Sequence, residues 1–473
     1  MKPSGFAVIL TAAAIAACTS LRAQDTRSVT EPVIPPACIT LKAALTTAQA
    51  TSGEIESRAN SNSILDTTRI QQALDHCAKS HAVELAPNAA NTAFLSGPIA
   101  LRPGVTLLID KSVTLYGSRN PTDYELSEGS CGLVNDASAG CRPLIAARSA
   151  TGSSIMGDGA IDGQGGARIL LDGHPSGKSW WDLAEDARTA GRQQVPRLID
   201  TDLTDDFTLY RITLQNSPNF HLSFHRGDGL TVWGVKIDTP ATARNTDGID
   251  PAQSRNITIT HSFIRTGDDN VAIKAGDGPT TDVSVLDNHF YSGHGMSIGS
   301  ETNGGVSRVL VRGLSLDGPD NGIRIKSNGS RGGLTQDVVY DDVCIRNSPN
   351  TITLDTTYSA AGTLQGDSLP TMRGITLHNV RVSGGGKITF NGYDHTHRIA
   401  ATLDGVQIVD QSSYTYELNH ADLTLGPEPT NLQLPAGPDS TTPGSISSDS
   451  TIKGTPAEGN PASCADKFVP FPQ

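Results

Sequence analysis

Aromatic residues are scarce in this 473-residue chain, at 5%, while glycine is abundant at 48 residues. That balance suits a turn-rich repeat better than several globular domains. Positive charge is also short: 36 Lys and Arg face 49 Asp and Glu, for a net charge of −13. A surface of that sign disfavours nucleic acid and anionic membranes as partners, and a polyanionic ligand would need a local basic cluster. No membrane span is expected. The apolar run from Phe6 to Ala17, behind Lys2, is too short to cross as a helix and reads as a signal peptide over residues 1–23. Leu21-Arg22-Ala23 before Gln24 is an ordinary cleavage site. Ile15-Ala16-Ala17-Cys18 also resembles a lipoprotein box, which would place a lipid anchor on Cys18. The first is preferred, and either exports the chain, secreted or periplasmic. Cysteine spacings of the metal-binding type are missing. Setting Cys18 aside leaves Cys38, Cys77, Cys131, Cys141, Cys344 and Cys464, an even number that reads as disulfides in an exported chain. Among the fifteen connectivities, Cys131–Cys141 closes a short loop, Cys38–Cys77 staples the N-terminus and Cys344–Cys464 pins the tail.

What the chain does contain is a stretch from Asn245 to Lys326 with four polar signatures: Asn245-Thr246-Asp247-Gly248, Gly267-Asp268-Asp269-Asn270, Gly293-His294-Gly295 and Arg324-Ile325-Lys326. Alternating apolar runs at Ile249, Val271, Met296 and Ile323 accompany them, the pattern of half-buried strands. An earlier strand begins at Ile257, Val283 and Val309, 26 residues apart, and each precedes its later strand by 13 or 14 residues. The same offset links Val338 to Ile352 and Ile375 to Ile388. A repeat in the twenties with two short strands per turn predicts a parallel β-helix. Two residues before each later strand stand Asp247, Asp269, His294 and Asn321, which should form a column on rungs about 4.8 Å apart. Arg324 and Lys326 alternate with Ile323 and Ile325, so they point to the outer face beside that column.

Elsewhere the expectations are coarser. Residues 24–65 form a weakly patterned extension with a strand-like Ile39 to Leu41. A helix capped by Asp66 or Thr67 carries Ile70, Ala73, Leu74 and Cys77 on one face and should cover the open end of the solenoid. Gly157 to Gly165 lacks both the spacing and the following helix of a dinucleotide fingerprint, so no cofactor is expected. Trp180 to Arg192 reads as a loop and helical turn. The loop from Ser118 to Arg142 is long and polar. Regular coils run from Phe207 to about Val409, the β-helix as a whole spans 66–435, and residues 436–473 form a Pro/Gly/Ser-rich tail. A monomer without a second domain is expected.

At these signatures the sequence resembles glycoside hydrolase family 28, the polygalacturonases, from Ile70-Gln71-Gln72-Ala73-Leu74-Asp75 to the strands near Phe390. The likeness is strongest from Ser217-Pro218-Asn219-Phe220-His221 to Tyr358, where it points to bacterial endo-polygalacturonases. It implies an all-β, right-handed parallel β-helix that hydrolyses α-1,4 bonds of de-esterified pectic polysaccharide with inversion, without metal or cofactor. By resemblance Asp268 is the general acid, while Asp247 and Asp269 position and deprotonate water. His294 is expected to hydrogen-bond the acid, and Arg324 and Lys326 to bind galacturonate carboxylates. Asn245, Asp250, Lys274 and Tyr358 are further substrate-binding candidates.

The residues support that chemistry independently. Carboxylates on adjacent rungs repel, a cost that a purely structural site avoids, and crowding raises the last pKa so that one acid stays protonated. Glycoside hydrolysis needs such an acid and a second carboxylate to activate water. One tension is geometric: neighbouring rungs put carboxylates nearer about 5 Å than the roughly 6.5–9.5 Å usual for inversion. The competing readings are an exo-acting or rhamnogalacturonan hydrolase of the same family, a calcium-dependent pectate lyase, and a non-catalytic carbohydrate-binding β-helix. His294 is a poor calcium ligand, which weighs against the lyase.

Overall fold

The computed structural model describes residues 24–56, 65–171, 174–358, 368–432, 444–461 and 463–473. The signal peptide and Cys18 lie outside the described residues. Short apolar-alternating segments stack in register as a right-handed parallel β-helix, with a 23-stranded and a 12-stranded sheet. In the larger sheet Phe207, Leu230, Ile257, Val283, Val309, Val338 and Ile375 pair in succession. In the smaller, the succession is Leu222, Ile249, Val271, Met296, Ile323, Ile352 and Ile388. Every one of these side chains is buried, because a period of two sends alternate residues into the coil. The predicted registers therefore hold on both faces.

Each regular coil has three strands rather than two. Phe263–Arg265, His289–Phe290 and Ser315–Asp317 form the additional column, and Ile264, Phe290 and Leu316 fill its inner face. With one inward residue per strand, no alternation exists to be read. A left-handed residue turns the chain into each of them: His261 (φ 54°), Asp287 (φ 54°) and Gly313 (φ 67°). At 313 glycine takes this conformation without a Cβ penalty. Asn288 fills the corner beside it, accepting from Ser262 N at 2.9 Å and donating to Ile259 O at 2.9 Å.

Coils also begin well before Phe207. Thr106, Ser154 and Thr208 already pair in one column, and Ala37–Lys42 pairs with His81–Ala86. The helix Thr67–His76 buries Ile70, Ala73 and Leu74 over this end, as expected of a cap. Its Asp66 carboxylate makes no cap bond, however; it accepts from Leu95 N at 2.8 Å and pairs with Arg69. The expected boundary at 435 likewise falls within the solenoid, since Gly444–Ile446 and Thr451–Lys453 continue the two sheets. Both ends of the described chain then act as straps. Gln24 N and Asp25 N donate to Ser284 Oγ, and Pro36 O accepts from Ala82 N. At the other end Lys467 pairs with Asp342, Phe468 lies under Arg346 and Tyr291 Oη donates to Val469 O. The disulfides Cys38–Cys77, Cys131–Cys141 and Cys344–Cys464 join as expected. Trp180–Ala190 is a full helix with a Ser179–Asp182 capping box, longer than the single turn expected. No helix among the described residues is long and apolar enough to cross a membrane.

Candidate active site

The strands Ile249–Ala252, Val271–Ile273, Met296–Ile298 and Asn321–Lys326 lie side by side in the smaller sheet. Their pairing sets Asp247, Asp269, His294 and Asn321 at equal offsets on successive coils. Buried polar residues fix the turns that carry them. His221 donates through its main-chain N and ring Nδ1 to Asp247 O at 2.8 and 3.0 Å, while its Nε2 meets Thr239 Oγ1. Burial brings the His221 pKa down to about 4, so the ring is neutral. Asn270 ties two turns together, donating to Ser292 O at 2.9 Å and accepting from Gly295 N at 2.9 Å. Glycine is obligatory at 295, where a Cβ would meet Asn321 O at 1.9 Å.

The three carboxyl groups differ in their surroundings. Asp269 accepts from Ser297 Oγ at 2.6 Å and pairs with Lys326 Nζ at 2.8 Å and Arg324 Nη1 at 3.3 Å. Asp268 accepts from His294 Nδ1 at 3.0 Å and from Asn245 Nδ2 at 3.3 Å. Its side chain is 16% exposed, against 4% for Asp247 and 2% for Asp269, so Asp268 is the acid a ligand reaches most readily. Asp247 receives Lys274 Nζ at 3.4 Å, and its Oδ1 is buried without a protein partner.

Their titration follows. Burial, reinforced by the charges of Asp250 and Asp268, pushes Asp247 well above the usual carboxylate range. Burial would also raise Asp268, but the hydrogen bond and charge of His294, with Lys326 behind them, hold it below that range. For His294 burial lowers the value, yet the bond to Asp268 and the negative charges around it leave the pKa raised. In the free protein the proton of the Asp268–His294 pair therefore sits on the imidazole.

Every sequence-predicted residue gathers here, but not all as expected. Arg324 and Lys326 do sit on the outer face, yet they are 8% and 7% exposed and turn onto Asp269 rather than into open solvent. Tyr358 joins them, its ring 5.2 Å from the Arg324 guanidinium and 5.4 Å from Lys326 Nζ. Asp250 is 1% exposed and bonds Lys274 Nζ at 2.5 Å, so it supports Asp247 through Lys274 instead of facing a groove. Burial lifts Asp250 to about 6 despite that cation. Ser297 and His221 escaped the sequence reading as site residues. Ser297 occupies the same outward strand position as Arg324, which was the available signal. Asp268, Asp269 and His294 each offer an atom within 4.8 Å of the others, close enough for a metal ion. Arg324, Lys326 and His294 already supply the balancing positive charge, which makes the set a poor cation cage. The loop Ser118–Arg142 does approach the site: Asp136 to Cys141 wall a cleft that also contains Phe220 and Asn245.

Compared with known proteins, the chain matches the family described as "Glycosyl hydrolases family 28" over residues 77–424. It is 39% identical to a polygalacturonase of Ralstonia solanacearum, over 98% of this chain and 96% of that protein. It is 43% identical to an endo-polygalacturonase of Pectobacterium carotovorum subsp. carotovorum, over 83% of this chain and 92% of that protein. Among solved structures, the polygalacturonase from Erwinia carotovora ssp. carotovora matches with a TM-score of 0.76 at 42% identity, covering 84% of this chain and 99% of that one.

Proposed function

Because the chain belongs to family 28 of the glycosyl hydrolases, we propose that it is an endo-polygalacturonase, cutting α-1,4-galacturonosidic bonds within de-esterified pectic polysaccharide with inversion. The observation that carries this reading is the stack of Asp247, Asp268 and Asp269 with an imidazole on Asp268 and two cations on Asp269. A galacturonate carboxylate entering beside Tyr358 competes with Asp269 for Arg324 and Lys326. That competition has two consequences. Asp269 is released to take a proton from water, and Asp268 loses the Lys326 charge that helps to keep it ionised. The proton on His294 then passes along the 3.0 Å bond to Asp268, which delivers it to the glycosidic oxygen as the bond to the anomeric carbon breaks. Asp247, whose pKa burial raises, orients the water that attacks the opposite face. Three disulfides suit export to an oxidising compartment.

The test is polygalacturonate hydrolysis followed by both viscosity and reducing ends. Viscosity should collapse while few bonds are cut. Mono- or digalacturonate accumulating from the start, with slowly falling viscosity, would sink the endo assignment and implicate the Ser118–Arg142 wall. Ultraviolet-absorbing unsaturated product, abolished by a chelator, would replace hydrolysis with elimination.

A further inference from the structure

The N-terminal strap begins on a built seat, on a different sheet from the acids. Ser284 Oγ, on a fully buried residue, accepts from Gln24 N at 2.8 Å and from Asp25 N at 3.0 Å. Asp25 is 5% exposed, and its carboxylate is filled. Its Oδ1 accepts from Arg27 N and Nε at 2.9 and 3.1 Å, and its Oδ2 from Arg27 Nη2 and Thr258 Oγ1, both at 2.8 Å. Thr26 Oγ1 bonds Asn256 Oδ1 at 2.7 Å, and Arg27 Nη2 also reaches Leu230 O at 2.8 Å. Residues 24–27 are thereby fixed across three successive rungs of the larger sheet.

Counting acceptors decides which form of the Gln24 nitrogen suits this seat. A hydroxyl oxygen has two lone pairs, and an ionised carboxylate has about four acceptor sites. Asp25 has none left. Ser284 Oγ keeps one for Gln24 N, which bonds no other acceptor among the described residues. A neutral N–H matches that provision, whereas an ammonium would bring three hydrogens and a charge to a single acceptor. The Gln24 residue is half-buried, and its carboxamide bonds nothing among the described residues. That side chain is at liberty to fold back on its own nitrogen.

We infer that export cuts the chain after Ala23, and that the new amine of Gln24 closes on its own side chain as a pyroglutamyl ring. The cleavage site expected at Leu21-Arg22-Ala23 puts Gln24 first. An α-amine titrates only slightly above neutrality, so part of it is neutral and nucleophilic there. The nitrogen attacks the side-chain carbonyl carbon, and the carboxamide carbon–nitrogen bond breaks. Ammonia leaves, carrying one hydrogen from the amine, and no co-reactant is needed. The lactam keeps one N–H for Ser284 Oγ and loses the terminal charge. It also leaves an aminopeptidase no free amine, which protects Asp25 and the strap behind it. The inference rests on export and is independent of the polygalacturonate reading.

The experiment takes the full chain, exported by a bacterial host and left to stand at neutral pH, and measures intact mass and N-terminal sequence. The chain should start at residue 24, weigh one ammonia less than the open glutamine form and resist stepwise sequencing. After denaturation, pyroglutamyl aminopeptidase should remove one residue and expose Asp25-Thr26-Arg27. The variant Gln24→Ser keeps the amine but has no carboxamide. It should lack no ammonia, sequence freely and, when folded, lose residues to a general aminopeptidase that leaves the unsubstituted chain intact. An open glutamine at position 24 would overturn the inference, as would a chain that starts at Cys18 or elsewhere. An ammonia missing from Gln24→Ser as well would place the loss at another residue and overturn it too, and equal trimming of the two chains would remove the protective role.

Discussion

Asp268 and His294 hold one proton between them, and its residence sets the expected pH dependence. Asp268 lies below the usual carboxylate range and His294 above its ordinary 6.5. The pair therefore keeps its proton as pH rises until the raised imidazole value is passed, and turnover should fall only through that point. In His294→Asn the charge and bond that depress Asp268 are gone, leaving burial as the main influence. The alkaline limb of kcat should then move down from the imidazole toward the carboxylate range, with burial holding Asp268 above an ordinary aspartate. A limb that stays in place would show that the proton comes from another group, with Asp247 next in line. Asp268→Asn should cost about 10²–10⁴-fold in kcat while polygalacturonate binding persists; near-parental turnover would remove Asp268 as the acid. At this scale the sequence was informative wherever a residue's offset from a strand fixed its place, as for Asp247, Asp269 and His294 before their strands and Arg324 and Lys326 on theirs. It was silent on reach. That Lys274 folds back to Asp250 and Asp247, or that Ser297 donates to Asp269, depends on side-chain torsions that residue spacing does not constrain.

A strand as short as His289–Phe290 has little stability alone, and here it is held by the rung above and the rung below. Ile259 illustrates the arrangement: it is fully buried, paired with Val232 on one coil and Val285 on the next. Ile259→Ala should lower stability by about 2–5 kcal/mol, through lost burial plus the cavity that stacked backbones cannot close. Denaturant titration measures this, and a loss below 1 kcal/mol would mean that the coils relax into the gap. The same stacking explains which elements were legible. The long-strand and site-strand columns repeat an apolar alternation at constant offset, so their register could be counted. The column of Ile264, Phe290 and Leu316 offers one apolar residue per coil and was invisible. The β-helix was expected from residue 66, but before Phe207 its period could not be counted, because the loop Ser118–Arg142 and the helix Trp180–Ala190 interrupt it. The tail after residue 435 was misplaced by composition: Gly444–Ile446 and Thr451–Lys453 make strands, each with a single isoleucine packed on the core, because two sheet edges await them.

On the scale of the molecule, an elongated coil gains from restraints that cross many rungs, since neighbouring coils otherwise hold only each other. The C-terminal strap crosses from Asp342 to Tyr291, and Cys344–Cys464 closes a loop of sequence separation 120. Cys464→Ser should lower stability by about 2–4 kcal/mol with kcat little changed, as a shifted thermal midpoint would show. The whole molecule also carries a conflict that its site does not. At net charge −13 it repels a polyanion at a distance, while in the proposed site Arg324 and Lys326 would attract one at contact. Salt separates the two by range. The Debye length falls from about 30 Å at 0.01 M to about 8 Å at 0.15 M. The first additions of salt therefore screen the long-range repulsion before they weaken buried pairs such as Lys326–Asp269. The kcat/KM on polygalacturonate should rise with ionic strength to near 0.1 M, about a Debye length of 10 Å, and decline above it. Heavily methylated pectin carries little charge and should show almost no rise. A monotonic fall from the lowest salt would mean that the local cations already dominate the field at long range, and that the overall acidity of the chain has no part in substrate encounter.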